Sequence, residues 1–341
     1  MLISILKEIN RIRYQLFNKI GRMTIHLPAL WFVLLFRNQR YRFRALRRGI
    51  LDNSKEEGQY FNLRRNIHRI EKGLSYQKVK PVFATDYIQQ TVDGLMLLQG
   101  KHIMSKETTD WAISVLDRYF SIVDMSHEVI AAAYNHYQNV ERDNKPYQYY
   151  PYIIGDRAES SMSLEDFEKL SLKRRSVRYF ESVALDPDRV AKVFDIAKLA
   201  PSACNRQSYR YLFYNDKATV DALTKVPGGV SGYELYNVIV ILGEYAGYMN
   251  ERDINAPVID SSLAAMSFLF ACECDGIATV CINWPNLPDR EKRIRQIIDI
   301  KRSEFVIMMI GLGIPSAKGK IPYSKKRNNK SFLLTNERIK K

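Results

Sequence analysis

Between Gln138 and Ser163 the chain turns polar and aromatic, with Pro146 and Pro151 set among Tyr147, Tyr149, Tyr150 and Tyr152, and the hydrophobic period differs on its two sides. Before this stretch apolar residues recur at helical spacing only; after it short apolar runs alternate with helical segments. Helices packed on helices and helices packed on a sheet bury their apolar faces differently, so one layer arrangement cannot serve both halves. The expected division is a basic amphipathic segment at 1–50, a helical domain at 51–150 and a domain of mixed structure at 164–335. A length of 341 residues can fill two cores.

In the first half Leu63, Ile67, Ile70 and Leu74 share a helical face. Further helical segments run from Asp86 to Leu98 and from Thr108 to Val123, with Gly73, Gly94 and Gly100 as punctuation. In the second half the pattern predicts helices over Pro187–Leu199, Ser261–Cys274 and Pro288–Ile298. Strands are predicted over Tyr209–Tyr214, Asn237–Gly243, Ala278–Asn283 and Phe305–Gly311. Strands alternating with helices imply a sheet covered on both faces. No internal repeat and no glycine-rich phosphate loop is present.

The net charge of +15 is concentrated at the ends. Residues 1–50 hold eleven Lys and Arg against the single acid Glu8, residues 318–341 hold nine against Glu337, and the middle is mildly acidic. A nucleic-acid-binding domain gathers its basic residues on one folded face, so nucleic acid is not expected as a partner. Leu2, Ile5, Leu6, Ile9, Ile12, Leu16 and Ile20 form the apolar stripe of a basic helix. The run Ile25–Phe36 that follows is too short to cross a bilayer, which takes about 20 helical residues. No small-residue cleavage site follows it, so the expected location is cytoplasmic. Two readings fit residues 1–50: a helix on the membrane surface, its arginines facing anionic headgroups, or helices packed on the protein or on a second subunit. The stretch Arg64–Gly73 (RRNIHRIEKG) fits either an anion-binding face or a solvated helix face. Cys204, Cys272, Cys274 and Cys281 lack metal-ligand spacing and are expected to be buried thiols.

Two segments carry candidate chemistry. Lys173–Phe180 (KRRSVRYF) packs Arg174, Arg175, Ser176 and Arg178 into five residues, suited to a phosphate or a planar acceptor edge, though such clusters are also common on solvated surfaces. Ala200–Gln207 (APSACNRQ) sits between a helix and a strand. Its Asn205 and Gln207 amides can read the edge of a uracil-like ring, or the segment is simply a capped turn. Together, in this order and spacing, they resemble the nitroreductase family's pattern R-x-S-x-R-x-F, helix, A-P-S-x-x-N-x-Q. Later landmarks agree: a helix opened by Ala256 and Pro257, the Asp275–Gly276 turn, a strand ending in Gly311-Leu312-Gly313, and the basic Lys325–Arg327. The resemblance covers roughly residues 170–335.

That resemblance implies an α+β fold with a mixed, mainly antiparallel sheet covered by helices on both faces, preceded here by a mostly helical region. It implies FMN as cofactor, NADH or NADPH as reductant, a small organic substrate and an intertwined homodimer. Arg174, Arg175, Ser176 and Arg178 would lie along the flavin, with Lys325 and Arg327 on its phosphate. Pro201, Ser202, Ala203, Asn205 and Gln207 belong to the loop that reaches the flavin of the other subunit. Departures occur at Ser208-Tyr209 and at Ile282–Asn286, where a glycine-containing loop is common in the family and Trp284 either lines the substrate pocket or packs. No side-chain nucleophile is implied, because the flavin carries the chemistry. The expected function is hydride transfer between NAD(P)H and a nitro compound, quinone, enone or biosynthetic intermediate, the last favouring a cell-envelope precursor. The alternative is a membrane-associated flavin-binding module without turnover.

Overall fold

The computed structural model describes residues 28–142, 148–228, 230, 232–328 and 333. The amphipathic stripe expected over residues 2–20 lies outside them. The apolar run and the arginines after it form one continuous helix, α1 (Pro28–Asp52). Its first turns are exposed, with Phe32, Val33 and Phe36 each 63% accessible, whereas Ala45 and Leu46 are buried against Tyr245, Tyr248 and Phe305. Gly49 lies so close to Tyr245 that a side chain would collide with it. Arg42 ties the helix down by donating to Tyr245 Oη, Ile254 O and Asn255 Oδ1, each at 2.9 Å. Among the described residues, the C-terminal half of α1 therefore packs on the protein while Phe32, Val33 and Phe36 of its N-terminal half stay exposed.

Four helices follow: α2 (Glu56–Leu74), α3 (Ile88–Gly100), α4 (Lys106–Phe120) and α5 (Glu128–Tyr137). Glu56 and Glu57 in the first turn of α2 and Lys72 in its last complement the helix dipole. The Ser105 hydroxyl caps α4 by accepting from Thr108 N–H. Apolar stripes on all four converge on one core that includes Ile67, Ile70, Ile88, Leu95, Leu116, Tyr119, Ile130 and Tyr137. Gly73 and Gly94 lie inside α2 and α3, where tertiary packing overrides their weak helix propensity, and Gly100 is the last residue of α3.

The second half holds α6 (Leu164–Lys173), α7 (Pro187–Ala197), β1 (Tyr209–Tyr214), α8 (Lys217–Thr224), β2 (Asn237–Glu244), α9 (Ala256–Cys274), β3 (Ala278–Asn283), α10 (Pro288–Ile294) and β4 (Glu304–Gly313). The strands pair antiparallel in the order β1-β2-β4-β3. Because strand side chains alternate, Val238, Val240 and Leu242 of β2 join the core under α8 and α10, while Ile239 and Ile241 join the core under α7 and α9. The sheet is thus buried on both faces. Helix α9 is long and apolar enough to cross a membrane, but Ala264, Ala265, Phe268, Leu269 and Cys272 bury one side of it against the sheet.

Candidate functional site

After α6, capped by Ser163 and Asp166 in a reciprocal pair, the arginine segment runs along the free edge of β3. Ser176 forms a parallel bridge with Thr279, and Val177 N–H donates to Thr279 O at 3.0 Å. Further on, Glu181 N–H donates to Ile314 O at 2.9 Å, which fixes the end of the segment beside β4. Arg178 Nε donates to Tyr233 Oη at 2.6 Å and Nη1 to Ser176 O at 3.0 Å. Arg175 donates to Pro322 O at 3.0 Å and to Tyr323 O, which holds the exposed stretch bearing Lys325 and Arg327 beside the arginines. All of these acceptors are neutral. Among the described residues, then, no carboxylate bonds to Arg175 or Arg178, and the positive field remains available to an anion.

The Ala200–Gln207 loop sits at the start of β1, across the sheet. Three non-glycine residues with positive φ define its shape: Cys204 and Asn205 have φ of 52° and Gln207 has φ of 54°, with right-handed Arg206 between them. Left-handed backbone at such residues costs on the order of 1–2 kcal/mol each, so surrounding contacts must hold it. Two clamps do. On one side Ala203 N–H donates to both carboxylate oxygens of Asp260, each at 3.0 Å. On the other, Arg64 of α2 donates from Nε to Asn205 O at 3.0 Å and from Nη2 to Gln207 Oε1 at 3.1 Å. Within the loop Gln207 N–H donates to Ser202 Oγ at 3.1 Å.

Both clamps are buried. Arg64 is 7% exposed, its guanidinium lies 5.1 Å from the centre of Trp111, and Trp111 in turn donates to Glu71 Oε1 at 2.8 Å. Asp260 is pushed above the usual carboxylate range by burial, against the opposing pull of the Ala203 amide, the Tyr248 hydroxyl and Arg206. Tyr248 Oη shares a hydrogen bond with Ser208 Oγ at 2.8 Å, so the end of the loop is fastened as well. Sequence reasoning missed Arg64 and Asp260 as loop supports. For Arg64 a signal existed: it stands three positions before Ile67 and beside Leu63, on the face that α2 buries.

Arg175 joins the arginine segment to Pro322 and Tyr323, a few residues before Lys325 and Arg327, but the structure keeps Pro201, Ser202, Ala203, Asn205 and Gln207 apart from that segment. β1 and β3 are the two edges of the sheet, three strand spacings or about 14 Å apart. The register adds an offset along the strands, because Tyr209 pairs with Gly243 while Thr279 pairs with Leu312. Trp284 is 5% exposed and belongs to the core under α8 and α10, so it packs and does not line an open pocket. The cysteines depart from the buried-thiol expectation: Cys272 is buried and Cys204 half-buried, but Cys274 and Cys281 are exposed. Cys274 is on the outer side of α9 and Cys281 faces away from the core on the edge strand.

Residues 172–230 match the model of the nitroreductase family. A protein of Archaeoglobus fulgidus provisionally named NADH dehydrogenase/NAD(P)H nitroreductase is 25% identical over 155 residues, which cover 45% of this chain and 87% of the relative. An NADH dehydrogenase of Thermus thermophilus is 23% identical over 193 residues, covering 47% of this chain and 92% of that protein. Among solved structures, an FMN-dependent nitroreductase of Clostridium difficile shares 20% identity at a TM-score of 0.43, over 49% of this chain and 97% of that one.

Proposed function

We propose that the C-terminal part of this chain, whose residues 172–230 match the model of the nitroreductase family, is a member of that family of oxidoreductases and an FMN-dependent enzyme passing hydride between NAD(P)H and a small organic substrate. The observation that carries this reading is the arginine segment on the β3 edge, where Arg175 and Arg178, among the described residues, donate only to neutral acceptors, and Arg175 reaches the Pro322–Tyr323 stretch that leads to Lys325 and Arg327. A phosphate monoester brings close to two negative charges and multiple acceptor oxygens, and this donor set fits it. Bound there, FMN supplies the hydride chemistry. Arg174, Arg175, Lys325 and Arg327 would hold the phosphate, and Arg178, braced by Tyr233, would offer its guanidinium to the ring's acceptor edge. A cation at that edge favours the reduced, more negative form.

The active unit in this reading is a homodimer. A flavin on the β3 edge of one chain is out of reach of that chain's own Asn205 loop, and a second copy supplies the loop. The surface suits such a partner: Ile259, Leu263 and Met266 form an exposed stripe on α9, beside exposed Ile196 and Leu199. An apolar groove of about 590 Å³ between α6, α7 and α9, lined by Phe167, Leu170, Val193, Ile196 and Phe270, lies on the same side. The divisions 1–50, 51–150 and 164–335 belong to this reading as well, with the helical region acting as a support for the loop. The exposed Phe32, Val33 and Phe36, followed on α1 by Arg37, Arg44 and Arg47, support a peripheral place on the inner face of the membrane.

The deciding experiment is an absorption spectrum of the purified protein before and after anaerobic NADH or NADPH. Bands near roughly 450 nm that bleach on reduction support a turning-over flavoenzyme. Flavin that binds without bleaching would favour a binding module, and a protein that takes up no FMN would refute both.

A further inference from the structure

A second concentration of positive charge lies where α2 meets the Ala203–Arg206 turn. Arg65 and Arg69 stand one helical turn apart on α2, an arrangement that repels unless an anion is shared between them. Arg69 lies over the Tyr87 ring at 3.7 Å, and Arg65 donates to the neutral Asn66 Oδ1 at 3.2 Å. Arg206 approaches from the turn. It is 8% exposed, its Nη1 donates to Ala203 O at 3.2 Å, its guanidinium lies 4.9 Å from the centre of the Tyr248 ring, and its buried Nε has no hydrogen-bond partner among the described residues. An unpartnered guanidinium N–H in the interior is costly, and it points to an acceptor that joins the site from outside.

The carboxylates nearby do not balance three guanidinium groups. Asp86 sits 3.5 Å from Arg69 but is 73% exposed, and Asp260, which Arg206 also faces, is committed to the Ala203 amide and Tyr248. Burial, then Arg69 and Arg206, pull Arg65 below the ordinary arginine range, which shows that the three groups share one field. Cys204 and Tyr87 complete the neighbourhood. One carboxylate would leave most of this charge unmatched, whereas a phosphate or diphosphate offers several oxygens to several forks.

We propose that Arg65, Arg69 and Arg206 form a binding site for a phosphate or diphosphate group of a small molecule, built between the helical region and the Cys204 turn and separate from the arginines on the β3 edge. The two sources of such a group are a phosphorylated substrate and the diphosphate of a nicotinamide dinucleotide. The turn it uses belongs to the loop that the flavin reading gives to a second copy, so the test measures binding both with and without FMN and distinguishes the two.

The test is calorimetric titration of the full-length protein with inorganic pyrophosphate, with and without saturating FMN, alongside Arg65→Gln, Arg69→Gln and Arg206→Gln. Saturable binding that survives FMN and weakens at least tenfold in Arg65→Gln and Arg69→Gln is expected, while Arg189→Gln, on the far side of α7, binds as wild type. Should Arg206→Gln fail to fold, the two helix variants still decide the matter, because Arg69 is at the surface edge. ADP-ribose binding more tightly than pyrophosphate would identify the dinucleotide as the source, and equal or weaker binding would identify a phosphorylated substrate. Absence of saturable binding, unchanged affinity in both helix variants, or complete displacement by FMN would overturn the proposal, the last by making these arginines part of the flavin grip.

Discussion

Replacing Arg64 by Met removes the guanidinium from the Asn205 loop but keeps an unbranched side chain against Trp111. Two charge-assisted hydrogen bonds to the loop disappear, at 3.0 Å and 3.1 Å, besides a longer one to Thr108, each loop bond contributing about 1.5–3 kcal/mol, and two loop acceptors lose their donor. Relief of burying a cation offsets part of this, so a net loss of about 2 kcal/mol in loop order is a fair expectation. The loop contains three left-handed residues that this bond network holds, and they relax once it is gone. If the flavin needs the ordered loop, about 2 kcal/mol raises its apparent Kd up to about 30-fold. The assay is quenching of FMN fluorescence on titration with wild-type and variant protein, with circular dichroism melting to verify that the helical region stays folded. Lys in the same place is not expected to rescue, since one ammonium does not reproduce the two-pronged fork. A folded Arg64→Met protein that binds FMN within twofold of wild type would refute the idea that the helical region supports the loop.

Other outcomes follow from the same structure. Arg174→Ala should weaken FMN binding by about 1.5–3 kcal/mol, the scale of one charge-assisted contact, and unchanged flavin retention would remove it from the phosphate grip. Glu244 is buried, with its carboxylate accepting from Ala246 N–H at 2.8 Å and Ser303 Oγ at 3.1 Å, and burial raises it from 4.5 to about 7. Because the folded value lies above the unfolded one, its favourable contribution is complete below pH 4.5 and is lost as pH rises to 7, by up to about 3 kcal/mol. Glu244→Gln should therefore flatten the stability profile between pH 5 and 8 in denaturant melts, and an unaltered slope would sink this account. Deleting residues 1–36 should abolish co-sedimentation with anionic vesicles. Deleting residues 1–50 also removes buried Leu46 and Ala45 and the Arg42 bonds, and should destabilise by about 3 kcal/mol or more.

The strands Tyr209–Tyr214 and Ala278–Asn283 were legible residue for residue, because a short apolar run bounded by turn signals carries its own instruction. Helix α9 begins at Ala256, five residues before the Ser261 suggested by periodicity, with Pro257 in its first turn where the missing N–H has no partner to lose. The motif residues were readable for the same local reason. The loop's supports were not: Arg64 and Asn205 are 141 positions apart and Ala203 and Asp260 are 57 apart, and no periodicity encodes which buried polar groups meet. The single helix α1 (Pro28–Asp52) was not spelled out by composition, because the change from apolar to basic residues at Arg37 says nothing about the backbone hydrogen bonds that run through it. Exposure of Cys274 and Cys281 was equally invisible, because burial of a small thiol depends on whichever element covers it.

The sheet order has a genetic consequence. In the proposed homodimer, with the arginine segment on one edge and the Asn205 loop on the other, a chain defective in the first and a chain defective in the second would both be inactive alone. Mixed in one such dimer, they would bring together one site with both defects and one with neither. Random pairing of Arg174→Ala and Asn205→Ala chains would then restore about a quarter of the wild-type sites. Two dead alleles would complement each other in trans, whereas the same two substitutions placed on a single chain, mixed with wild type, would spoil one residue set on each side of every mixed pair.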